Sequence, residues 1–158
     1  MSGESERSPL NILFVCVGNS CRSQMAEALA SKHGRGRIRA WSAGSFPLGE
    51  IIPPTYEVMR EQGISLEGHW SKGLRDVPVE QMQVVVGMGC EVQCPVPAGF
   101  KGRVIEWNIP DPYGRDMDFF RSVRDLIERQ VKALLDSLDQ SAQAEGDEAQ
   151  SPEEADRT

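Results

Sequence analysis

The residues best suited to chemistry lie in one short segment near the start of the chain, CVGNSCRS at positions 16–23. An apolar run precedes this segment and a predicted helix follows it. Backbone N–H groups in such a loop, and in the first turn of the helix after it, lack intrahelical partners and therefore bind anions. Arg22 can add a two-pronged contact to the same anion. The residues expected to surround this tetrahedral oxyanion are Val17, Gly18, Asn19, Ser20, Cys21, Arg22 and Ser23.

Cys16 is the candidate nucleophile. Its sulfur falls in the positive field of the loop, which favours thiolate over thiol at neutral pH. Asn19 tolerates a left-handed backbone conformation, which would turn successive amides inward, and Ser23 can donate its hydroxyl hydrogen to the sulfur. An ordinary buried core cysteine is the alternative interpretation of Cys16. Cys21 is interpreted as a small filler residue, which oxidation could join to Cys16.

Strand and helix patterns alternate along the chain around this segment. Strands are predicted at 10–17, 38–43, 84–86 and 104–107, and helices at 23–33, 54–62 and about 116–138. Asp116 is the expected N-cap of the last helix, whose apolar stripe ends at Leu138. The alternation predicts an α/β fold, a parallel sheet with helices on both faces. Ligands bind at the carboxyl ends of the strands in such sheets, which is where Cys16 falls.

Length and charge narrow the classes of partner. The 158 residues predict a single catalytic domain at 10–140, a flexible tail at 1–9 and a disordered acidic tail at 141–158. Six acidic residues and one arginine in the acidic tail supply −5 of the net charge of −7, which leaves −2. So small a charge argues against nucleic acid or an anionic membrane as a partner. Four cysteines without a visible signal peptide predict a reducing cytoplasm, where we expect a monomer.

Four motifs, in this order, resemble the family that unites low-molecular-weight protein tyrosine phosphatases with thiol-coupled arsenate reductases. They are the phosphate loop at 16–23, WSAG at 41–44, GHWS at 68–71 and DPYG at 111–114. The resemblance covers about residues 11–138. It implies a three-layer sandwich in which helices flank a central four-stranded parallel sheet, with 104–107 as the last strand.

Two features resemble the reductase branch of this family. The phosphatases usually carry proline after the Arg-Ser pair, whereas Gln24 is similar to the reductases. The segment MGCEVQCP at 88–95 also places Cys90 and Cys94 just after a strand, where the reductases carry their redox pair. Asp111 followed by proline is shared by both branches. The resemblance therefore favours an arsenate reductase, with a low-molecular-weight protein tyrosine phosphatase as the alternative.

The resemblance also implies a role for each of these residues. Cys16 would attack arsenate while Arg22 and the loop neutralise its oxygens and Asp111 acts as general acid. Cys90 would then attack Cys16 and release arsenite, and Cys94 would attack Cys90. Thioredoxin or a small thiol would reduce the resulting disulfide, with no bound cofactor. The interval of three residues between Cys90 and Cys94 is shorter than the thioredoxin-coupled pattern, so which one attacks first, and whether both are used, stays open. A small thiol such as mycothiol or glutathione could resolve the adduct instead. A phosphatase would use Cys16, Arg22 and Asp111 to form and hydrolyse a cysteinyl phosphate.

Supporting residues and other classes of function complete the expectations. Ser42 and His69 resemble family residues that brace the loop through Asn19. Lys72 stands where some reductases of the family carry an acidic residue for potassium, so no metal site is expected. A structural zinc module is a hypothesis of another class, with ligands Cys16, Cys21, Cys90 and Cys94. A protein that binds oxyanions without turnover is a further one.

Overall fold

Four parallel strands form the centre of the molecule. This computed structural model describes residues 8–89 and 100–150, and only the backbone of residues 141–150. The strands are β1 (Leu10–Cys16), β2 (Ile38–Gly44), β3 (Val84–Gly87) and β4 (Arg103–Glu106), in the spatial order β2-β1-β3-β4. Every neighbouring pair is parallel. The predicted α/β fold with a four-stranded parallel sheet is confirmed.

Three α-helices accompany the sheet: α1 (Arg22–His33), α2 (Pro53–Arg60) and α3 (Met117–Gln150). Local chemistry explains their ends. Two prolines occupy the first turn of α2, where the missing N–H groups have no intrahelical partner to lose. The Asp116 carboxylate accepts a hydrogen bond from the backbone N–H of Phe119 at 2.9 Å, so its predicted role as N-cap is confirmed.

The core divides into two parts because side chains of β1 alternate between the faces of the sheet. Ile12, Phe14 and Cys16 face a large cluster shared with all three α-helices. Leu13 and Val15 face a smaller cluster that includes residues of the segment 74–82. That segment contains two short 3-10 helices, Leu74–Asp76 and Val79–Gln81. Within the described residues, the third layer of the sandwich therefore consists of short helical turns.

The last helix is longer than the sequence pattern predicts. Its apolar stripe ends at Leu138, but the helix continues to Gln150, so the predicted helix end is wrong. The reason is local: alanine, glutamine and glutamate, which are frequent between positions 141 and 150, are good helix formers. The predicted disorder of the acidic tail stays a prediction. The other parts of the predicted tails, residues 1–7 and 151–158, lie outside the described residues. Across the described ranges, no helix has the length and apolarity needed to cross a membrane.

The sheet topology gathers the candidate site at one edge. Parallel strands end on the same side, and Cys16 and Gly44 are paired in register at the ends of β1 and β2. The chain turns from Cys16 through the loop directly into α1. On the other side of β1, the end of β3 leads to Met88 and Gly89 at the same edge.

Candidate active site

Cys16 closes β1 with its sulfur turned into the loop. The residue is 2% exposed, and its Sγ accepts a hydrogen bond from the backbone N–H of Asn19 at 3.3 Å. Ser23 Oγ lies 2.9 Å from the same sulfur, so the predicted contact is present. Asn19 has a φ of 50°, which confirms its predicted left-handed conformation. The sulfur thus has two hydrogen-bonding groups within reach.

The amino end of α1 completes the anion cradle. The cap residue, Cys21, makes no side-chain hydrogen bond to the helix, and no acidic side chain lies in the first turn of α1, which the structure describes in full. The first N–H groups and the positive end of the helix dipole therefore face the loop without a protein anion in that turn. An oxyanion in the loop would supply the missing negative charge.

Arg22 connects the loop to the ends of two other segments. The buried guanidinium donates through Nη1 to the carbonyl oxygens of Met88 at 2.7 Å and Ile109 at 3.1 Å. Its Nη2 lies 3.7 Å from Oδ2 of Asp111, a carboxylate that is 56% exposed. The structure therefore brings two of the predicted catalytic residues, Arg22 and Asp111, together beside the loop that Cys16 begins.

Cys21 differs from Cys16 in its environment. Burial raises the pKa of the Cys21 thiol to about 11, and the neighbouring Cys16 and Asp111 charges act in the same direction. The Ser20 hydroxyl at 3.6 Å and the Arg22 charge oppose the rise without cancelling it. Cys21 is therefore a neutral thiol at physiological pH, which suits the predicted role of a filler residue.

Carbonyl groups on the outer side of the loop are held by the segment that follows β2. The bonds are Ser45 N to Cys16 O at 3.1 Å, Phe46 N to Val17 O at 2.9 Å and Leu48 N to Gly18 O at 2.9 Å. Further along the loop, Thr55 Oγ1 donates to Ser20 O at 3.0 Å. Phe46 is 79% exposed and Leu48 is 47% exposed, so an apolar rim borders the loop. No sequence pattern pointed to this segment, although the segment directly follows the WSAG motif.

Asn19 is braced by two residues to which the sequence analysis gave no bracing role. Its Oδ1 accepts from the Lys72 backbone N–H at 2.8 Å and from Gln24 Nε2 at 2.9 Å. The predicted brace residues contact the bracing residues instead of Asn19 itself. Ser42 accepts a hydrogen bond from the Lys72 side chain, and His69 Nδ1 lies 3.4 Å from Gln24 Oε1. A signal existed for Gln24, since it is a long polar side chain followed directly by the apolar residues Met25 and Ala26.

The Lys72 side chain enters a buried polar cluster beneath the loop. Its Nζ donates to Ser42 Oγ at 3.1 Å and to the Trp70 carbonyl at 3.2 Å, and lies 3.5 Å from Glu27 Oε1. Ser42 Oγ in turn donates to Glu27. The Lys72 ammonium thus sits among three oxygen atoms. Within residues 8–89 and 100–150, no group of three or more His, Cys, Asp or Glu side chains could hold a metal ion.

Two candidate residues lie outside the described part of the chain, Cys90 and Cys94. The predicted thiol relay and the four-thiolate zinc hypothesis therefore both stay predictions. The last described residue before them, Gly89, contacts Arg22, whose Nη1 lies 3.4 Å from the Gly89 carbonyl oxygen.

Comparison with known proteins identifies the family. The family model described as low molecular weight phosphotyrosine protein phosphatase matches residues 11–144. A glutaredoxin arsenate reductase from Synechocystis sp. is 34% identical over 126 residues, which cover 78% of this chain and 95% of that protein. The solved structure of an arsenate reductase in its phosphate-binding state is 30% identical with a TM-score of 0.73, and the match covers 81% of this chain and 98% of that one. A thioredoxin-dependent arsenate reductase from Corynebacterium glutamicum is 30% identical with a TM-score of 0.72, over 88% of this chain and 67% of that one. The chain belongs to the low molecular weight phosphotyrosine protein phosphatase family, as its four motifs predicted.

Proposed function

We propose that the protein is an arsenate reductase in which Cys16 is the nucleophile. The observation that carries the proposal is the Cys16 sulfur, held beside the Asn19 N–H and the Ser23 hydroxyl inside an anion-binding loop. Relatives with the name arsenate reductase, 34% and 35% identical to this chain, support arsenate as the oxyanion. Arsenate and phosphate share a tetrahedral shape and charge, so one loop accommodates either.

The first step forms a bond between sulfur and arsenic. The Cys16 thiolate attacks arsenic(V), and one arsenate oxygen leaves as water after it receives protons, one of them from Asp111. Arg22 and the loop N–H groups hold the remaining oxygens, where negative charge accumulates. The position of Asp111 near Arg22, at the exposed mouth of the loop, supports this role.

The second step reduces arsenic. A second thiolate, assigned to Cys90, attacks the Cys16 sulfur; the S–As bond breaks, its electron pair stays on arsenic, and arsenite leaves. Cys94 then attacks Cys90, frees Cys16 and forms a disulfide between positions 90 and 94. Two electrons from thioredoxin, glutaredoxin or a small thiol restore both thiols. The names of two relatives, a glutaredoxin arsenate reductase and a thioredoxin-dependent arsenate reductase, support a thiol donor.

We further propose that the enzyme works as a monomer in the cytoplasm without a bound cofactor. Free thiols persist in that reducing compartment, and the proposed chemistry depends on them. Size-exclusion chromatography with light scattering, run on the reduced protein, tests the oligomeric state.

A protein tyrosine phosphatase is the second candidate function. The family description and the acid beside Arg22 favour it, because Cys16, Arg22 and Asp111 suffice to form and hydrolyse a cysteinyl phosphate. The apolar rim at Phe46 and Leu48 would suit the ring of an aryl phosphate ester. In that reaction Cys90 and Cys94 have no part.

Serine variants of the cysteines distinguish the two functions. We expect Cys16→Ser to lose arsenite release and hydrolysis of p-nitrophenyl phosphate, and Cys90→Ser to lose arsenite release alone. Each variant is assayed with thioredoxin, glutaredoxin and glutathione as donors, and Cys21→Ser is the matched control. Arsenite release by Cys90→Ser and Cys94→Ser at the parent rate with every donor would contradict the relay. Brisk ester hydrolysis without any arsenite release would favour the phosphatase.

A further inference from the structure

Gln24 is a fully buried amide at the start of α1, and the chemistry proposed above gives it no part. Its Nε2 donates to the carbonyl oxygen of Trp70 at 2.9 Å and to Asn19 Oδ1 at 2.9 Å. A backbone carbonyl can only accept, so the Trp70 contact fixes which end of the Gln24 amide is the NH2 group. That NH2 group faces Asn19.

The orientation of the Asn19 amide follows from two donors. The Lys72 backbone N–H, which can only donate, reaches Asn19 Oδ1 at 2.8 Å, and Gln24 Nε2 donates to the same oxygen. Both donors hold Oδ1 on one side, so the NH2 end of Asn19 faces Ser23 Oγ at 2.7 Å. The Lys72 backbone N–H and the Gln24 amide, which the Trp70 carbonyl orients, thus together set the direction of the Asn19 amide.

Ser23 carries a single hydroxyl hydrogen. Because its oxygen accepts from Asn19 Nδ2, that hydrogen is available to Cys16 Sγ at 2.9 Å. A hydrogen bond to an anionic sulfur is charge-assisted and favours the thiolate. The hydrogen bonds from Gln24 through Asn19 and Ser23 to Cys16 therefore all point towards the sulfur.

We propose that Gln24 is a positioning residue that, together with the Lys72 backbone N–H, fixes the direction of this hydrogen-bond chain, so that the Ser23 hydroxyl donates to the Cys16 thiolate. The proposal rests on the thiolate chemistry proposed above but concerns the protein before substrate binds. A carboxylate at position 24 would face three acceptors, namely the Trp70 carbonyl, Asn19 Oδ1 and the Asn19 carbonyl. The charged acceptor would outweigh the single Lys72 backbone N–H, so the Asn19 amide would turn its NH2 group towards the carboxylate, and Ser23 would donate to Asn19 instead of to the sulfur.

Alkylation of Cys16 tests the proposal without any substrate. The full chain is treated with iodoacetamide at pH 6, and site-resolved mass spectrometry measures labelling of Cys16. We expect Gln24→Glu to be labelled about tenfold more slowly than the parent, the effect of losing one hydrogen bond to a charged group. Gln24→Met, which removes the amide without adding a charge, should be slowed in the same direction. Gln140→Glu makes the same change at an exposed position of α3 and should label at the parent rate.

A double-variant comparison separates this role from a merely structural one. Ser23→Ala removes the final donor, so adding Gln24→Met to it should cause no further slowing. Additive slowing, or parent-rate labelling of folded Gln24→Met, would overturn the proposal. Circular dichroism checks the fold of each variant, and Gln24→Met decides the matter if Gln24→Glu does not fold. Because no arsenate is present, failure here leaves the proposed arsenate reduction standing, and failure of that reaction leaves this result standing.

Discussion

Two thiols share one loop, and their neighbours separate them chemically. Cys16 Sγ contacts a backbone N–H and a hydroxyl, both able to donate to an anionic sulfur. Cys21 is 3% exposed, and burial keeps its pKa near 11. The proposed nucleophile is therefore the thiol with two donors beside it, while Cys21 contributes volume to the core.

The raised pKa of Cys21 predicts a loss of stability in alkali. The folded pKa is about 11 and the ordinary value is 9.0, so between these pH values the folded protein keeps a proton that the unfolded chain loses. The stabilisation is therefore complete below pH 9 and is lost as pH rises towards 11. We expect the free energy of unfolding to fall by about 2 kcal/mol by pH 10.5, relative to Cys21→Ala. Urea titrations of both proteins from pH 8 to pH 10.5 measure the difference; parallel curves would contradict the prediction.

The sequence predicts the chemical groups of the loop, but it does not predict the distant residues that hold the loop in place. Cys16, Asn19, Arg22 and Ser23 lie within one short motif, so their local pattern predicts their geometry. The support comes from far along the chain: Gln24 contacts Trp70, which is 46 positions away, and Asn19 contacts Lys72, which is 53 positions away. Only the pairing of β1 with β2 and the path of the following segments bring these groups together, and no local pattern encodes that.

At the level of elements, the end of β2 lies against the loop. A Cβ atom on Gly44 would lie 2.5 Å from the Val17 carbonyl oxygen and 2.9 Å from the Asn19 nitrogen. The Gly44 N–H also donates to the Lys72 carbonyl at 2.9 Å, so the strand cannot move away freely. The last residue of the WSAG motif is therefore glycine because the two backbones leave no room for a side chain there.

Gly44→Ala is predicted to displace the loop and to lower arsenite release on the order of 10- to 100-fold. Gly63→Ala is the matched control, because Gly63 has a φ of 73° and its Cβ would have nothing within 4 Å. That control should lose about 1 kcal/mol of stability and keep the parent turnover. Steady-state kinetics and thermal unfolding of the two variants are compared. Equal turnover in both variants would contradict the prediction, because it would show that the close contact at Gly44 does not affect arsenite release.

The boundaries of the elements show which signals are reliable. The apolar run of β1 and the Asp116 cap of α3 are local features, and the structure agrees with both. The end of α3 was mispredicted because the apolar stripe reports where core contacts stop, whereas helix propensity decides where the helix stops. The two coincide when a glycine or proline follows the stripe, and here neither follows Leu138 directly.

For the molecule as a whole, we expect the acidic tail to contribute most of the net negative charge and residues 10–140 to contribute the free energy of unfolding. Residues 141–158 carry −5 of the net −7, and Leu138 is the last residue packed on the core among the described side chains of α3. We expect a chain that ends at Gln140 to keep its free energy of unfolding within about 0.5 kcal/mol of the parent. Urea unfolding measures this, and a truncation that ends at Ser122 instead serves as the destabilised control. A loss of more than about 1 kcal/mol in the first truncation would show that the segment contributes to the fold.

The bonds between the loop carbonyls and the segment after β2 have a consequence for recognition. The carbonyl oxygens of Cys16, Val17 and Gly18 already accept hydrogen bonds on the outer side of the loop. Those peptide groups therefore cannot rotate to fit a ligand. An incoming oxyanion therefore exchanges places with water and leaves the backbone unchanged. Discrimination between oxyanions in such a loop depends on ionic radius and charge distribution, since these three peptide groups keep their orientation.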